Sequence, residues 1–243
     1  MGLPGERLAR PRDRFMHVDI LARLAEEYPA WWIDLMGEHN HVGGPDATRW
    51  LLERANLRPG ARMLDAGAFV GAAARFAALE AGVRAVATDL AYDFLAAGRQ
   101  LKGGELVEWV AADTRRLPFA DGTFDSVWCL DTTIVPSELS RVAASAATLC
   151  LSAEVPSDNR GGFEATLDEW AEYGWRLAAH RPMTLEALQV WRRAEADLVA
   201  RRPYYEPRYG TRAYNAQLDH LGDLVRAYER GGVGHALLVL TRG

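Results

Sequence analysis

The stretch Arg62-Met63-Leu64-Asp65-Ala66-Gly67-Ala68-Phe69-Val70-Gly71 decides how this chain is read. Its first half is a short apolar run closing on an acid, the pattern of a strand buried on both faces. Its second half is a glycine-framed turn that opens an alanine-rich helix. Two later segments end the same way, Val83-Arg84-Ala85-Val86-Ala87-Thr88-Asp89 and Leu106 to Asp113. Strands alternating with helices predict a parallel sheet, and in an open sheet of that kind ligands settle outside the carboxyl ends of the strands, where the strand order reverses. Asp65, Asp89 and Asp113 are therefore expected around one pocket. A dinucleotide would need glycine at the second place of G-x-G-x-x-G so that backbone can approach a pyrophosphate. Phe69 stands there instead, and the acid just before the turn favours a cationic ligand over a diphosphate.

Working outward, residues 15–28 carry apolar side chains at helical spacing and form a helix ahead of the sheet that can act as a lid. Strands are predicted over 62–66, 83–89, 106–111, 125–131, 147–153, 175–180 and 235–240. Helices are predicted over 46–56, 71–81, 91–101, 137–146 and 163–173. Two amphipathic helices follow, one carrying Leu185 to Leu198 and one Tyr214 to Tyr228, joined by a proline- and tyrosine-rich linker from Arg201 to Tyr209. The division read from this order is an N-terminal helical lid (1–45), a cofactor-binding core (46–180), a helical cap insertion (181–212) and a final helix and strand of the core (213–243).

Composition narrows the function classes. A chain of 243 residues that is 49% hydrophobic can bury one large core, and a net charge of -5 argues against a surface that tracks nucleic-acid phosphates. Lys102 is the only lysine, and it sits in a turn, which disfavours Schiff-base chemistry. Cys129 and Cys150 lie in apolar runs and read as buried reduced thiols. The only imidazole pair, in Glu38-His39-Asn40-His41, lacks further metal ligands, so no metal is expected. With no run approaching membrane-spanning length, the expected setting is cytoplasmic, away from membranes.

These residues carry a resemblance to class I S-adenosylmethionine-dependent methyltransferases. Leu64 to Gly71 is similar to that family's first motif, Asp-x-Gly-x-Gly-x-Gly, with Phe69 at the middle glycine. Ala111-Ala112-Asp113-Thr114-Arg115-Arg116-Leu117-Pro118-Phe119-Ala120-Asp121-Gly122-Thr123-Phe124-Asp125 resembles the stretch the family places between its third and fourth strands. His41 to Thr48 and the closing region from Tyr209 to Leu240 resemble small-molecule members of the sarcosine/dimethylglycine and natural-product type. The resemblance implies an α/β, Rossmann-like, seven-stranded and mostly parallel sheet with helices on both faces and a helical lid or cap. It implies S-adenosylmethionine held by Asp65, Gly67, Ala68, Phe69, Gly71, Asp89, Leu90, Asp113 and Thr114, and methyl transfer to a small molecule through a nitrogen, oxygen or carbon nucleophile.

Displacement at a sulfonium methyl is in-line and needs mainly positioning, with a base where the acceptor must lose a proton. His180, ending its strand at the entrance to the cap, is the first candidate for that base, and a histidine hydrogen-bonded to backbone is the alternative. His41 is the second, and Asp131, after the fourth strand, is placed to meet a polar acceptor. His220 and His235 read as structural. The aromatic residues Trp31, Trp32, Tyr204, Tyr205 and Tyr209 are expected to line the acceptor side. Two other readings stay open: the same scaffold catalysing a non-methylating reaction such as a cyclisation, and a non-catalytic ligand-binding protein.

Overall fold

The computed structural model describes Leu35 and residues 37–157 and 162–242. The expected lid helix over 15–28, and Trp31 and Trp32, lie outside the described residues.

Gly44–Ala55 form α1, Arg62–Ala66 β1, Ala72–Ala81 α2, Arg84–Asp89 β2, Tyr92–Gln100 α3 and Val107–Ala111 β3. Phe124–Leu130 form β4, Pro136–Val142 α4, Ala143–Pro156 β5, Gly162–Glu172 α5 and Trp175–Pro182 β6. Thr184–Ala200 (α6), Arg202–Tyr209 (α7) and Thr211–Glu229 (α8) precede the last strand, β7, at Val233–Arg242. The seven strands lie in the order β3-β2-β1-β4-β5-β7-β6, and β7 runs antiparallel to both of its neighbours. This is the Rossmann-like arrangement, with the order reversing between β1 and β4.

β1 is buried from its second residue on because helices cover both faces. On one face Met63, Ala87, Trp128, Cys150 and Leu237 pack under Leu51 of α1, the alanines of α2 and Tyr228 of α8. On the other, Leu64, Val127, Leu149 and Leu238 pack under Leu139 of α4 and Trp170 of α5. Ala73, Ala74 and Ala77 let α2 sit close to the sheet, which brings its amino terminus to the end of β1. Cys129 and Cys150 are free, buried, and on opposite faces.

Two segments depart from the reading of the sequence. The helix expected over 137–146 stops at Val142, and Ala143 to Ala147 extend β5 instead. Alanine prefers helix, but Ala143 pairs with Phe124 and Ala147 is 1% exposed, so packing overrides propensity. The segment expected as a linker is the helix α7, with proline at its first turn and Pro207 inside it. α6, α7 and α8 share an apolar cluster of Ala194, Leu198, Tyr205, Ala213, Tyr214 and Leu221, on which Leu35 also packs.

Candidate functional site

At the reversal point the carboxyl ends of β1 and β2 are stitched together by backbone. The Ala68 amide donates to the Thr88 carbonyl at 2.7 Å, and the Gly71 amide closes the turn on the Ala68 carbonyl at 2.7 Å. Gly67 and Gly71 have φ of 73° and 65°, where a side chain is strained, and neither has room for one. A Cβ on Gly67 would lie 2.3 Å from Thr132 Oγ1, and one on Gly71 would lie 2.5 Å from the Trp109 ring. Phe69 takes the left-handed conformation despite its Cβ, with φ 56°. Its ring is buried edge-on against Phe94 of α3, with centroids 4.5 Å apart.

Asp65 is 3% exposed and accepts the Ala74 amide, in the first turn of α2, at 3.1 Å. Burial pushes its carboxyl up to about 7, with the Asp89 charge adding and the Ala74 amide opposing. Asp89 accepts the Phe69 amide on Oδ2 at 2.8 Å and the Ala91 amide on Oδ1 at 2.9 Å. Burial raises its pKa against those amides. Leu90 beside it is 50% exposed. Asp113 lies two residues past β3, and its carboxylate is gripped by the Arg115 guanidinium, with Nε 2.9 Å from each oxygen, which holds it below the usual carboxylate range. Thr114 is half-buried in the turn beyond it.

A second group gathers where β4, β5 and β7 meet. Asp131, with φ 50°, directs Oδ2 to the Val42 amide at 2.7 Å. Its Oδ1 accepts the Ser152 hydroxyl at 3.0 Å and lies 3.0 Å from His235 Nε2. His235 is 1% exposed, and its Nδ1 lies 3.1 Å from the Tyr228 hydroxyl. Nε2 thus faces the carboxylate as a donor and Nδ1 faces the Tyr228 hydroxyl. Burial acts to raise the Asp131 pKa, but His235 and the Val42 amide outweigh it and hold the carboxyl down. Burial raises Tyr228. His41 sits beside this group, buried, with Nε2 3.1 Å from the Gly44 carbonyl and 2.9 Å from Thr48 Oγ1. The Gly44 carbonyl can only accept, so the proton is on Nε2. Burial pushes His41 down to about 4, with Asp131 opposing, so it is neutral at pH 7.

The expected site residues thus separate. Asp65, Gly67, Ala68, Phe69, Gly71 and Asp89 form one connected turn, and Asp131 and His41 meet across the Val42 amide. His180 stands apart. It is exposed on the edge strand β6, pairs with Leu238, and has its ring 5.5 Å from Phe163, on the sheet face opposite to Leu237 and Tyr228. Tyr204, Tyr205 and Tyr209 lie on α7, and their faces carry arginines: the Arg201 guanidinium is 5.1 Å from the Tyr204 centroid and 4.7 Å from that of Tyr205, and Arg208 is 5.6 Å from Tyr209. Tyr205 is fully buried in the cap. Ser152 and Tyr228 are not among the site residues the sequence suggests, and His235 reads there as structural, with no sign of its link to Asp131. The available signal was polarity at the ends of apolar runs, Ser152 after Leu149-Cys150-Leu151 and His235 before Ala236-Leu237-Leu238.

Residues 64–150 match the family profile described as a methyltransferase domain. Phosphoethanolamine N-methyltransferase 1 of Zea mays is 31% identical over 93 residues, 37% of this chain and 19% of that protein. The chain spans less than a third of the curated relatives it matches, 19% and 32% of their lengths. A solved protein from Galdieria sulphuraria, assigned as a sarcosine dimethylglycine methyltransferase, superposes with a TM-score of 0.75 at 15% identity, over 87% of this chain and 95% of its own. The [4+2]-cyclase SpnF superposes with a TM-score of 0.70 at 19% identity, over 80% of this chain and 79% of its own. At these identities the likeness is one of fold.

Proposed function

We propose that this chain, a member of the methyltransferase-domain family over residues 64–150, transfers a methyl group from S-adenosylmethionine to a small-molecule acceptor. The observation that carries this reading is the junction of β1 and β2. A buried carboxyl, Asp65, adjoins a turn with no room for a Cβ at Gly67 or Gly71, and a second carboxylate, Asp89, is held in a fixed orientation by backbone amides. A carboxyl pushed up to about 7 by burial is fit for a cationic ligand, because a positive charge is what returns it to its ionised form. Asp65, Gly67 and Ala68 would hold the amino-acid part, Asp89 the ribose hydroxyls, and Leu90, Asp113 and Thr114 the adenine. Bound there, S-adenosylmethionine supplies a methyl carbon activated by its sulfonium.

The protein's own contribution is placement. Asp131, its oxygens fixed by Val42, Ser152 and His235, orients a hydroxyl or amine of the acceptor. His41, which burial pushes down to about 4, is a weak base beside it and would contribute by hydrogen bonding more than by holding a proton. His180, on the far face, is a weaker candidate than either. Tyr204, Tyr205 and Tyr209 would serve through the shape of the cap, since arginines occupy their faces. Calorimetric titration with S-adenosylhomocysteine tests the reading, with binding expected at one site per chain; a folded protein that gives no heat with either adenosyl ligand rejects it.

A cyclisation on the same scaffold is the second reading, favoured by the likeness to a [4+2]-cyclase and by Phe69 in the glycine turn. Mass spectrometry separates the two, because methyl transfer adds 14 mass units, roughly one CH₂, to the product and cyclisation adds none.

A further inference from the structure

The middle position of the glycine turn is where this chain breaks its own pattern, and the surrounding geometry gives the break a role. Phe69 is pinned from three sides: the Ala68 amide is tied to the end of β2, the Gly71 amide closes the turn, and the ring is wedged into a small buried cluster with Val70 and Phe94. Held this way in a left-handed conformation, its amide aims at Asp89 Oδ2 while the Ala91 amide takes Oδ1. With one amide bonded to each oxygen, the carboxylate cannot turn, and each oxygen keeps capacity to accept another donor. Two such positions side by side match a vicinal diol.

We propose that Phe69 is a positioning residue for diol recognition: through its amide it fixes the direction of the Asp89 carboxylate, and its ring on Phe94, in place of glycine's freedom, makes that direction rigid. The inference rests on the adenosyl-ligand reading above and adds to it the residue that sets ribose selectivity. Glycine at this position would keep the amide but lose the ring contact, leaving the turn held by the Ala68 and Gly71 amides alone and the direction of Asp89 less firmly set.

The test compares S-adenosylhomocysteine with its 2′-deoxy and 3′-deoxy analogues by calorimetry. The wild type is expected to prefer the intact ribose by about tenfold or more, the scale of a hydrogen bond to a charged group. In Phe69→Gly the affinity for S-adenosylhomocysteine should fall while that for the deoxy analogues barely changes, so the preference shrinks to about threefold or less. Phe94→Leu keeps residue 69 itself but removes the ring it packs on, and should reduce the preference part of the way; it decides the matter if Phe69→Gly does not fold. Phe69→Tyr should restore the wild-type ratio. A merely structural role would weaken all three ligands equally. Full discrimination retained in both Phe69→Gly and Phe94→Leu, or a wild type that binds all three ligands alike, overturns the proposal and leaves the adenosyl reading standing. A wild type that binds none of them removes that reading and this inference together.

Discussion

At the ends of β1 and β2 the carboxyls of Asp65 and Asp89 accept backbone amides, Ala74 for Asp65 and Phe69 and Ala91 for Asp89, whereas at the end of β4 Asp131 is held largely by side chains brought from β5 and β7. The first arrangement lies within residues 65–91: its donors are amides that no substitution short of proline removes, and it depends on glycines that leave space. The second joins positions 42, 131, 152, 228 and 235, and exists only once the sheet has assembled. The first group should therefore fail through backbone strain and crowding, and the second through stranded polar groups.

The largest effect is expected on the side-chain-built half. Asp131→Ala strands the Val42 amide, the Ser152 hydroxyl and His235 in a buried place, at a cost of about 3 to 5 kcal/mol by chemical denaturation. A loss no greater than that of a surface substitution would show that the network adds little. On the backbone-built half, Gly67→Ala drives a Cβ into Thr132 at φ 73° and should cost about 3 kcal/mol. Pairing it with Thr132→Gly should recover part of that loss but not the strain, and recovery of the whole would mean that crowding alone was responsible.

The next effect is a pH dependence. Burial pushes Asp65 from 3.8 up to about 7, so between those values the folded state keeps a proton that the unfolded state has released. The contribution of this group is fully present at low pH and is lost as pH rises toward about 7. The wild type should lose about 2 kcal/mol relative to Asp65→Asn between pH 5 and 7, read from paired denaturation curves. Parallel curves for the two proteins would place Asp65 in contact with water. The same protonation predicts that binding of a cationic adenosyl ligand tightens with pH up to about 7 and releases a proton, measurable by calorimetry in buffers of different ionisation heat.

The smallest effect is at the exposed ion pair past the end of β3. Arg115→Ala removes the partner of Asp113, but the two side chains are 52% and 33% exposed, so stability should change by less than about 1 kcal/mol. A larger loss would make Asp113 part of the rigid frame and not of its solvated edge.

How far the site could be read follows the same division. Asp65, Gly67, Gly71 and Asp89 announce themselves because an acid at a strand end and a glycine that must take positive φ leave marks within a few residues. Asp131 was legible as a strand-end acid, but nothing near it names Ser152, Tyr228 or His235, whose meeting depends on β7 entering antiparallel beside β5. His180 reads as a strand end, yet β6 runs on to Pro182 at the edge of the sheet and its register turns that side chain to the other face. Ala143 to Ala147 read as helix by propensity and became strand because an inner position beside β4 rewards pairing more than alanine's local preference resists it.

The sequence by itself determined the alternation of strands and helices, the reversal point and the carboxylates around it, since these follow from apolar period and turn chemistry acting over a few residues. Only the tertiary structure decided which face each later side chain reaches, that Arg202 to Tyr209 is helical, and that a serine, a tyrosine and two histidines converge near Asp131. Those outcomes depend on strand order and register, and contacts between residues far apart in the chain leave no local pattern to read.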